Sequence, residues 1–553
     1  MPHADTQALP APAGLRAARV VLQLGALACV LAALPFPLFD LDRHSVPKEL
    51  VVHATVAVST LLCAALASRL ALTRLDGLLA GYLAAAAASA ALASNPWLSF
   101  RTTALLLSGG AAFWAARYLA ARLPTRPLLV ALAVGTVLAA VTGLAQAYGW
   151  TTELAAVSRA PGGTFGNRNF MAHLLAVGLP VLLLAAGTAR SRIGFWAGAC
   201  GVTLVSAALT LSRSRAAWLA VGLSLAAGAA AALLAGGLLR RPGFRVRGLL
   251  LALAGAAGVA AAATLPNALD WRSKSPYLDS LRHVADYQTG SGRVRLIQYR
   301  NTWRIAADHF VLGVGPGNWA VEYSRYRTRR DPSVRTGGGI PSNPWPSSDW
   351  MALLAEQGLL GLVLFALVTW AIFKKAWDLL RGGGDAAVRF AGLALLATTV
   401  SAAVGGGFDV ILHMATPALY FWLAAGSLLP AARVRYTFPL QGRLARGLLL
   451  GAVGVIGALA VHRSASQVVA MTLVSSARTA SVLEKASRVD PGSYRIRVMA
   501  AEAWLRRGRP DLGRSHAEAA GQLFPYLPEP KLLADRCGRR TASADRAAPP
   551  KPE

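Results

Sequence analysis

Long apolar runs separated by short polar connections dominate this chain. They lie near residues 18–38, 50–68, 75–94, 102–121, 127–147, 170–188, 193–211, 215–238, 247–265, 350–373, 387–412, 415–432 and 443–461. Each approaches the roughly 20 residues an α-helix needs to cross the hydrocarbon core of a bilayer. The pattern predicts an all-α polytopic membrane protein with about 13 transmembrane helices, nine in 18–265 and four in 349–461. Outside them lie a short N-terminal segment 1–17, a large polar loop 266–348 with amphipathic helices, and a polar tail from 462.

Composition agrees: 55% of residues are apolar, 15% are charged and the mean hydropathy is +0.45. Abundant alanine and glycine let helices approach closely in a bilayer, where packing drives association. The net charge of +30 does not describe a nucleic-acid face, because the basic residues sit in connections between apolar runs. Arg117/Arg122/Arg126, Arg190/Arg192, Arg240/Arg241/Arg245/Arg247, Lys374/Lys375/Arg381 and Arg433/Arg435/Arg443/Arg446 follow even-numbered runs. The positive-inside rule then places the N-terminus in the cytoplasm and both the 266–348 loop and the tail outside. The first run is long enough to stay as an anchor rather than a cleaved signal.

Cys29, Cys63 and Cys200 lie in apolar runs and Cys537 stands in the tail, which predicts neither a disulfide framework nor a thiolate metal site. The nine histidines are scattered without zinc-motif spacing, so no metal or other cofactor is expected.

The external loop is where residues look selected for chemistry. Between Trp271 and Ser348 it carries Arg272, Lys274, Arg282, Arg293, Arg295, Arg300, Arg304, Arg325, Arg327, Arg329, Arg330 and Arg335 against Asp279, Asp286, Asp308, Glu322 and Asp331. Long loops translocate largely regardless of charge, so a plain soluble surface accounts for part of this. The preference for arginine favours an anion site, since a guanidinium binds phosphate oxygens bidentately and an ammonium does not. At 3.6 residues per turn Arg293, Arg300 and Arg304 share one stripe, beside an apolar stripe of Leu296, Tyr299, Trp303 and Phe310. Such a helix rests its aromatic side on the membrane protein or the interface. Gly313-Val-Gly-Pro-Gly-Asn318 follows as a turn, and without a strand and lysine it is a weak phosphate loop. Arg213 and Arg215 stand at an external helix junction, either snorkelling to headgroups or serving as a second phosphate clamp.

These segments resemble the O-antigen ligase and O-antigen polymerase superfamily of bacterial envelope glycosyltransferases. The resemblance rests on four motifs in order. They are Gly163-Thr-Phe-Gly-Asn167-Arg-Asn169, then Thr210-Leu-Ser-Arg-Ser-Arg215-Ala-Ala-Trp, then Arg293 ahead of Asp308-His-Phe-Val-Leu-Gly-Val-Gly-Pro-Gly-Asn318, then Leu353-Leu-Ala-Glu356-Gln-Gly358-Leu-Leu-Gly361. It implies an inner-membrane enzyme that takes a glycan from undecaprenyl pyrophosphate at the periplasmic face. The acceptor is lipid A core for a ligase or another glycan for a polymerase. The family's pyrophosphate-binding arginines map onto Arg215 and Arg293, with Arg300, Arg304, Asn169 and Asn318 as further binding candidates.

One motif departs from the family. Ligases place a histidine and a small polar residue before nine positions, a glycine, two positions and a small residue; Gly358 and Gly361 align the first two with Ser347 and Ser348. A serine does not replace the histidine as base on the acceptor hydroxyl. Asp349 is the nearest ionisable residue, with His309 and His283 farther off in the loop. The mechanism implied needs no metal: arginines stabilise the departing pyrophosphate while a base assists the acceptor oxygen.

In the tail, Ala-Ser-Val-Leu483-Glu484-Lys-Ala486-Ser-Arg-Val489-Asp-Pro491 recurs as His-Ala517-Glu518-Ala-Ala520-Gly-Gln-Leu523-Phe-Pro525, 34 residues on. This resembles the tetratricopeptide period, one unit over 462–538 with partial flanking helices. It implies either an envelope-protein partner or a helical hairpin packed on the membrane domain. From Arg539 onward the Ala/Pro/Lys-rich composition predicts disorder. Two other functions fit parts of the pattern: a catalytically silent assembly factor for lipid-linked polysaccharide export, and a secondary transporter. The second would place its ionisable residues near the bilayer midplane.

Overall fold

The computed structural model describes residues 12–35, 41–150, 160–236, 242–271, 273, 275–282, 290–328, 331–334, 341, 344–382, 385–429, 434–440 and 442–547. His283, Arg159, Arg272, Lys274, Arg329, Arg330 and Arg335 lie outside them. Each of the thirteen apolar runs contains a helix. They form α1 (Ala13–Leu31), α2 (Val46–Leu66), α3 (Arg74–Ala90), α4 (Pro96–Ala120), α5 (Arg126–Ala147), α6 (Arg168–Gly187), α7 (Arg192–Ser212), α8 (Arg215–Ala235) and α9 (Pro242–Thr264). After α10 (Pro276–Arg282), α11 (Gly290–Asp308) and α12 (Trp319–Tyr326) in the loop come α13 (Asp349–Arg381), α14 (Ala386–Phe408), α15 (Ala415–Leu428) and α16 (Arg443–Ser476). Ten of these are long and apolar enough to cross a membrane, the exceptions among the thirteen being α3, α4 and α15.

Side chains set several of the helix starts. Asn95 accepts from the amides of Trp97 and Leu98 at the head of α4, and Asn167 from that of Asn169 at the head of α6. At one end of the bundle β1 (Arg69–Leu72) pairs antiparallel with β2 (Tyr436–Pro439), Arg69 opposite Pro439 and Leu72 opposite Tyr436. Arginines at this end satisfy terminal helix carbonyls: Arg126 donates to Thr188 O (2.8 Å), Arg247 to Gly187 O (2.9 Å) and Arg389 to Leu380 O (2.9 Å). The core between the ends is a continuous packing of Ala, Leu, Val and aromatic side chains from α1 to α9 and α13 to α15.

The other end is not flat. α13 breaks at Gly358, whose φ of 66° and ψ of −169° lie outside helical space and favour glycine. The two limbs fold back on each other, because the rings of Trp350 and Phe365 lie 5.7 Å apart. A straight helix would hold residues fifteen positions apart about 22 Å from one another. Asp349 therefore starts inside the bundle beside Tyr82, Leu353 and Phe365, the first limb climbs to Gly358, and the second descends again. α15 is only 14 residues long and buried throughout, so the 409–414 connection before it is also drawn inward.

After a three-residue connection from α16 the tail forms α17 (Ala480–Val489), α18 (Tyr494–Arg506), α19 (Pro510–Leu523) and α20 (Pro528–Ala547). These make two successive helical hairpins. Val321 of α12 packs with Tyr494, Ala520, Leu523, Phe524 and Leu527, and Asn95 Nδ2 donates to Leu523 O (3.0 Å). Helix α20 extends past Arg539, where composition predicts disorder.

Candidate active site

The sunken 409–414 connection gathers the polar side chains of this end. Asp349, at the foot of the first α13 limb, accepts from Ile411 N (2.9 Å) and Leu412 N (3.0 Å) through Oδ2 and lies 2.7 Å from His413 Nδ1 through Oδ1. Among the described residues His413 Nε2 has no hydrogen-bond partner, and it stands 3.8 Å from Glu356 Oε2, likewise unpartnered, higher on the limb that starts at Asp349. The result is a buried carboxylate–imidazole–carboxylate series spanning the climb from Asp349 to the Gly358 turn.

The backbone carbonyl of Asp409 accepts from Asp349 N (3.2 Å), and its carboxylate faces another way. Oδ1 takes the amide of Val410 (2.9 Å). Oδ2 accepts from Asn169 Nδ2 (3.4 Å), lies 3.2 Å from His173 Nε2 without hydrogen-bond alignment, and lies 3.8 Å from Arg295 Nη2. The second group thus joins α6, α11 and the end of α14. Arg215, half-buried at the first position of α8, belongs to the same level, since a Cβ on Gly405 of α14 would touch Ala220 one turn below it.

Ser347 and Ser348 lock this floor to α11. Ser347 Oγ donates to Gln298 Oε1 (3.0 Å), and Tyr299 OH donates to Ser347 O (2.7 Å). Ser348 caps α13 and donates from Oγ to Gly406 O (3.0 Å). At the family's histidine position the serine hydroxyl is thus spent on the neighbouring helix.

The candidates divide accordingly. Asn169, Ser347 and Asp349 meet in the cluster, with Arg215 at its level. Arg293, Arg300 and Arg304 are exposed on the face of α11 away from Arg295, and Arg293 has no hydrogen-bond partner among the described residues. His309 lies about 21 Å along α11 from Arg295 at 1.5 Å per residue. Asn318 is fully buried and stapled to the α4 cap: its Oδ1 accepts from Asn95 N (2.7 Å), and its Nδ2 donates to Asn95 O (3.1 Å) and Pro316 O (3.2 Å). The glycine turn before it packs on the α13 bend. Val314 N donates to Ala355 O (3.0 Å) and Gly315 N to Glu356 O (2.9 Å), and a Cβ on Gly313 would fall 2.4 Å from Glu356 C. Its amides hold the bend rather than a phosphate.

Sequence reasoning missed Asp409, His173, Arg295 and His413. Asp409 and His173 are ionisable residues inside long apolar runs, a pattern that by itself marks a functional position. Arg295 shares a helical stripe with Gln298, Tyr299 and Thr302, a polar face that turns inward here. Among the described residues no group of His, Cys, Asp and Glu has the arrangement of a metal site.

No curated protein matches the chain. Residues 200–366 match the family model described as O-antigen ligase, a segment that runs from α7 through Arg215, α11, Ser347 and Asp349 to the turn at Gly358. That match supports a likeness of this segment to the superfamily of O-antigen ligases and polymerases.

Proposed function

We propose that this protein transfers a glycan from undecaprenyl pyrophosphate to lipid A core or to another glycan at the periplasmic face of a bacterial inner membrane. What carries this reading is the meeting of Asn169, Arg295, Asp349 and Asp409 in one sunken polar cluster, with Arg215 at the same level of the bundle. The cluster's end of the bundle is the periplasmic one under the charge bias of the opposite connections, and the tail helices share it.

In this mechanism Arg215 and the exposed Arg293 take the pyrophosphate oxygens in bidentate pairs. The acceptor hydroxyl oxygen attacks the anomeric carbon, the bond from that carbon to the pyrophosphate oxygen breaks, and its electron pair leaves with undecaprenyl pyrophosphate. The hydroxyl proton passes to a carboxylate. Asp409 suits this task better than Asp349, because its Oδ2 opens toward Asn169 and Arg295 while both oxygens of Asp349 are engaged. No step requires a metal. The tail's two hairpins give the repeat reading its shape, and a periplasmic protein partner is its proposed role.

The test is transfer by the purified protein in nanodiscs, using undecaprenyl-pyrophosphate-linked glycan and a core or glycan acceptor. Wild type is expected to transfer and Arg293→Ala to fail. Absence of transfer by a folded wild type with either acceptor would leave the assembly-factor reading in its place. In a deletion strain, loss of long chains with single units retained marks a polymerase, and loss of all attachment marks a ligase.

A further inference from the structure

Among the described residues the outer face of α11 is left unpartnered, and it is not uniformly polar. Leu296 (49% exposed), Trp303 (60%) and Phe310 (52%) form an apolar row, continued by Val311 (63%). Arg293, Arg300 and Arg304 run alongside it, all exposed, and Asp308 at the flank already accepts from Tyr326 OH. The inner face is spent on the site through Arg295, Gln298 and Tyr299.

The apolar row is continuous with a surface that already faces lipid. Leu359 N donates to Phe310 O (2.8 Å) and Leu360 N to Val311 O (3.3 Å), which fastens the end of α11 to the start of the descending limb of α13. There Leu359, Leu360 and Val363 are exposed on a membrane-spanning helix. Phe310 and Val311 therefore stand at the boundary between hydrocarbon and headgroups, and Trp303 and Leu296 extend that boundary along α11.

We propose that α11 is an interfacial helix seated in the outer leaflet of this membrane, with Leu296, Trp303 and Phe310 in the acyl region and Arg300 and Arg304 on the phosphates of anionic phospholipid. An apolar stripe flanked by arginines is the arrangement that binds such a surface through both hydrocarbon contact and charge. Seating its outer face would fix the height of the inner face, and so of Arg295 and Tyr299 over the sunken cluster. Arg300 and Arg304 then recognise bulk lipid rather than the donor's pyrophosphate.

Tryptophan quenching in nanodiscs tests this without any glycan, so its outcome is independent of whether the protein transfers one. The Trp303 signal is the difference between the full-length protein and Trp303→Phe. It is expected to be quenched by lipids brominated on the acyl chain and shielded from aqueous iodide. A minor fraction of dibromophosphatidylglycerol in phosphatidylcholine should quench it more than the same fraction of dibromophosphatidylcholine, by about fivefold local enrichment for each arginine at the surface. In Arg300→Gln/Arg304→Gln that excess should vanish while quenching by bromolipid in general persists. Quenching by iodide and not by bromolipid would overturn the proposal, as would shielding from both, which would mean that a second copy of the chain covers this face. Equal quenching by the two bromolipids in the wild type would overturn the assignment of Arg300 and Arg304.

Discussion

Asp349 and Asp409 meet through one backbone hydrogen bond, yet the fold uses them differently. Asp349 takes two amides of the 409–414 connection and the ring of His413, so its charge is committed to holding that connection against the α13 limb. Asp409 spends Oδ1 on a local amide and turns Oδ2 toward Asn169, His173 and Arg295, side chains from two other elements. A buried carboxylate with a full set of donors is architecture, since replacing it strands its partners. One whose second oxygen faces polar groups of other elements without being fully engaged is available for chemistry. Closeness in sequence to the altered family motif favours Asp349, and spatial arrangement favours Asp409.

The largest expected effect breaks this comparison most directly. Asp409→Asn keeps the shape and removes the proton acceptor, so transfer should fall about 100- to 10,000-fold, the usual worth of a general base. Expression and thermal midpoint should change little, because an amide oxygen still accepts from Val410 N. Transfer at the wild-type rate, measured with purified protein, would show that Asp409 is not the base and return the role to Asp349.

Arginine-to-lysine exchanges come next. Arg215→Lys and Arg293→Lys should each cost about tenfold in transfer, from losing a bidentate contact of about 1.5 kcal/mol. Arg295→Lys should cost a similar amount, because its guanidinium stands 3.8 Å from the Asp409 carboxylate. Raised KM in the first two variants and reduced kcat in the third would separate pyrophosphate binding from the arrangement around Asp409.

Much of the membrane architecture was legible beforehand because it follows from length and polarity alone: every long apolar run became a helix. The bend in α13 was not. The run 350–373 reads as one span, and only the polar Asp349, Glu356 and Gln357 ahead of Gly358 hinted that its first turns serve a different purpose. Asp409 was hidden by the same averaging, since a single carboxylate at the end of the 387–412 run barely lowers its hydropathy. His413 falls between two runs, where nothing in the sequence connects it to Asp349 sixty-four residues earlier. Motif order brought the segments that meet in the cluster into consideration. Which side chain of each segment faces inward depended on helix phase and on the depth of the 409–414 connection, and these are properties of packing.

Asp349→Asn should act mainly on stability. The amide retains an oxygen for Ile411 N and Leu412 N, but its other half is neutral and pairs more weakly with His413. A loss of roughly 1–3 kcal/mol follows from disturbing a buried charged hydrogen bond, visible as a lower thermal midpoint in detergent. Transfer per folded molecule should stay within about tenfold of wild type, a far smaller loss than general-base removal produces. Complete loss of transfer at an unchanged midpoint would reverse the assignments of the two carboxylates.

The smallest effect belongs to Ser347, the position where the family carries its histidine. Its hydroxyl donates to Gln298 and its carbonyl accepts from Tyr299, so it ties the foot of α13 to α11 without facing Asp409's open side. Ser347→Ala removes only the first of these bonds and should cost about 1 kcal/mol of stability with nearly full transfer. Ser347→His gives the opposite kind of information. Ser347 is buried against Gln298, and an imidazole there must displace that helix contact. If Asp409 already serves as base, the added ring should lower transfer by disturbing α11; if the site works without a base, it should raise transfer. The direction of change in Ser347→His, with Asp409→Asn as the reference for a site lacking its carboxylate, therefore decides whether the fold has replaced the missing histidine or simply lost it.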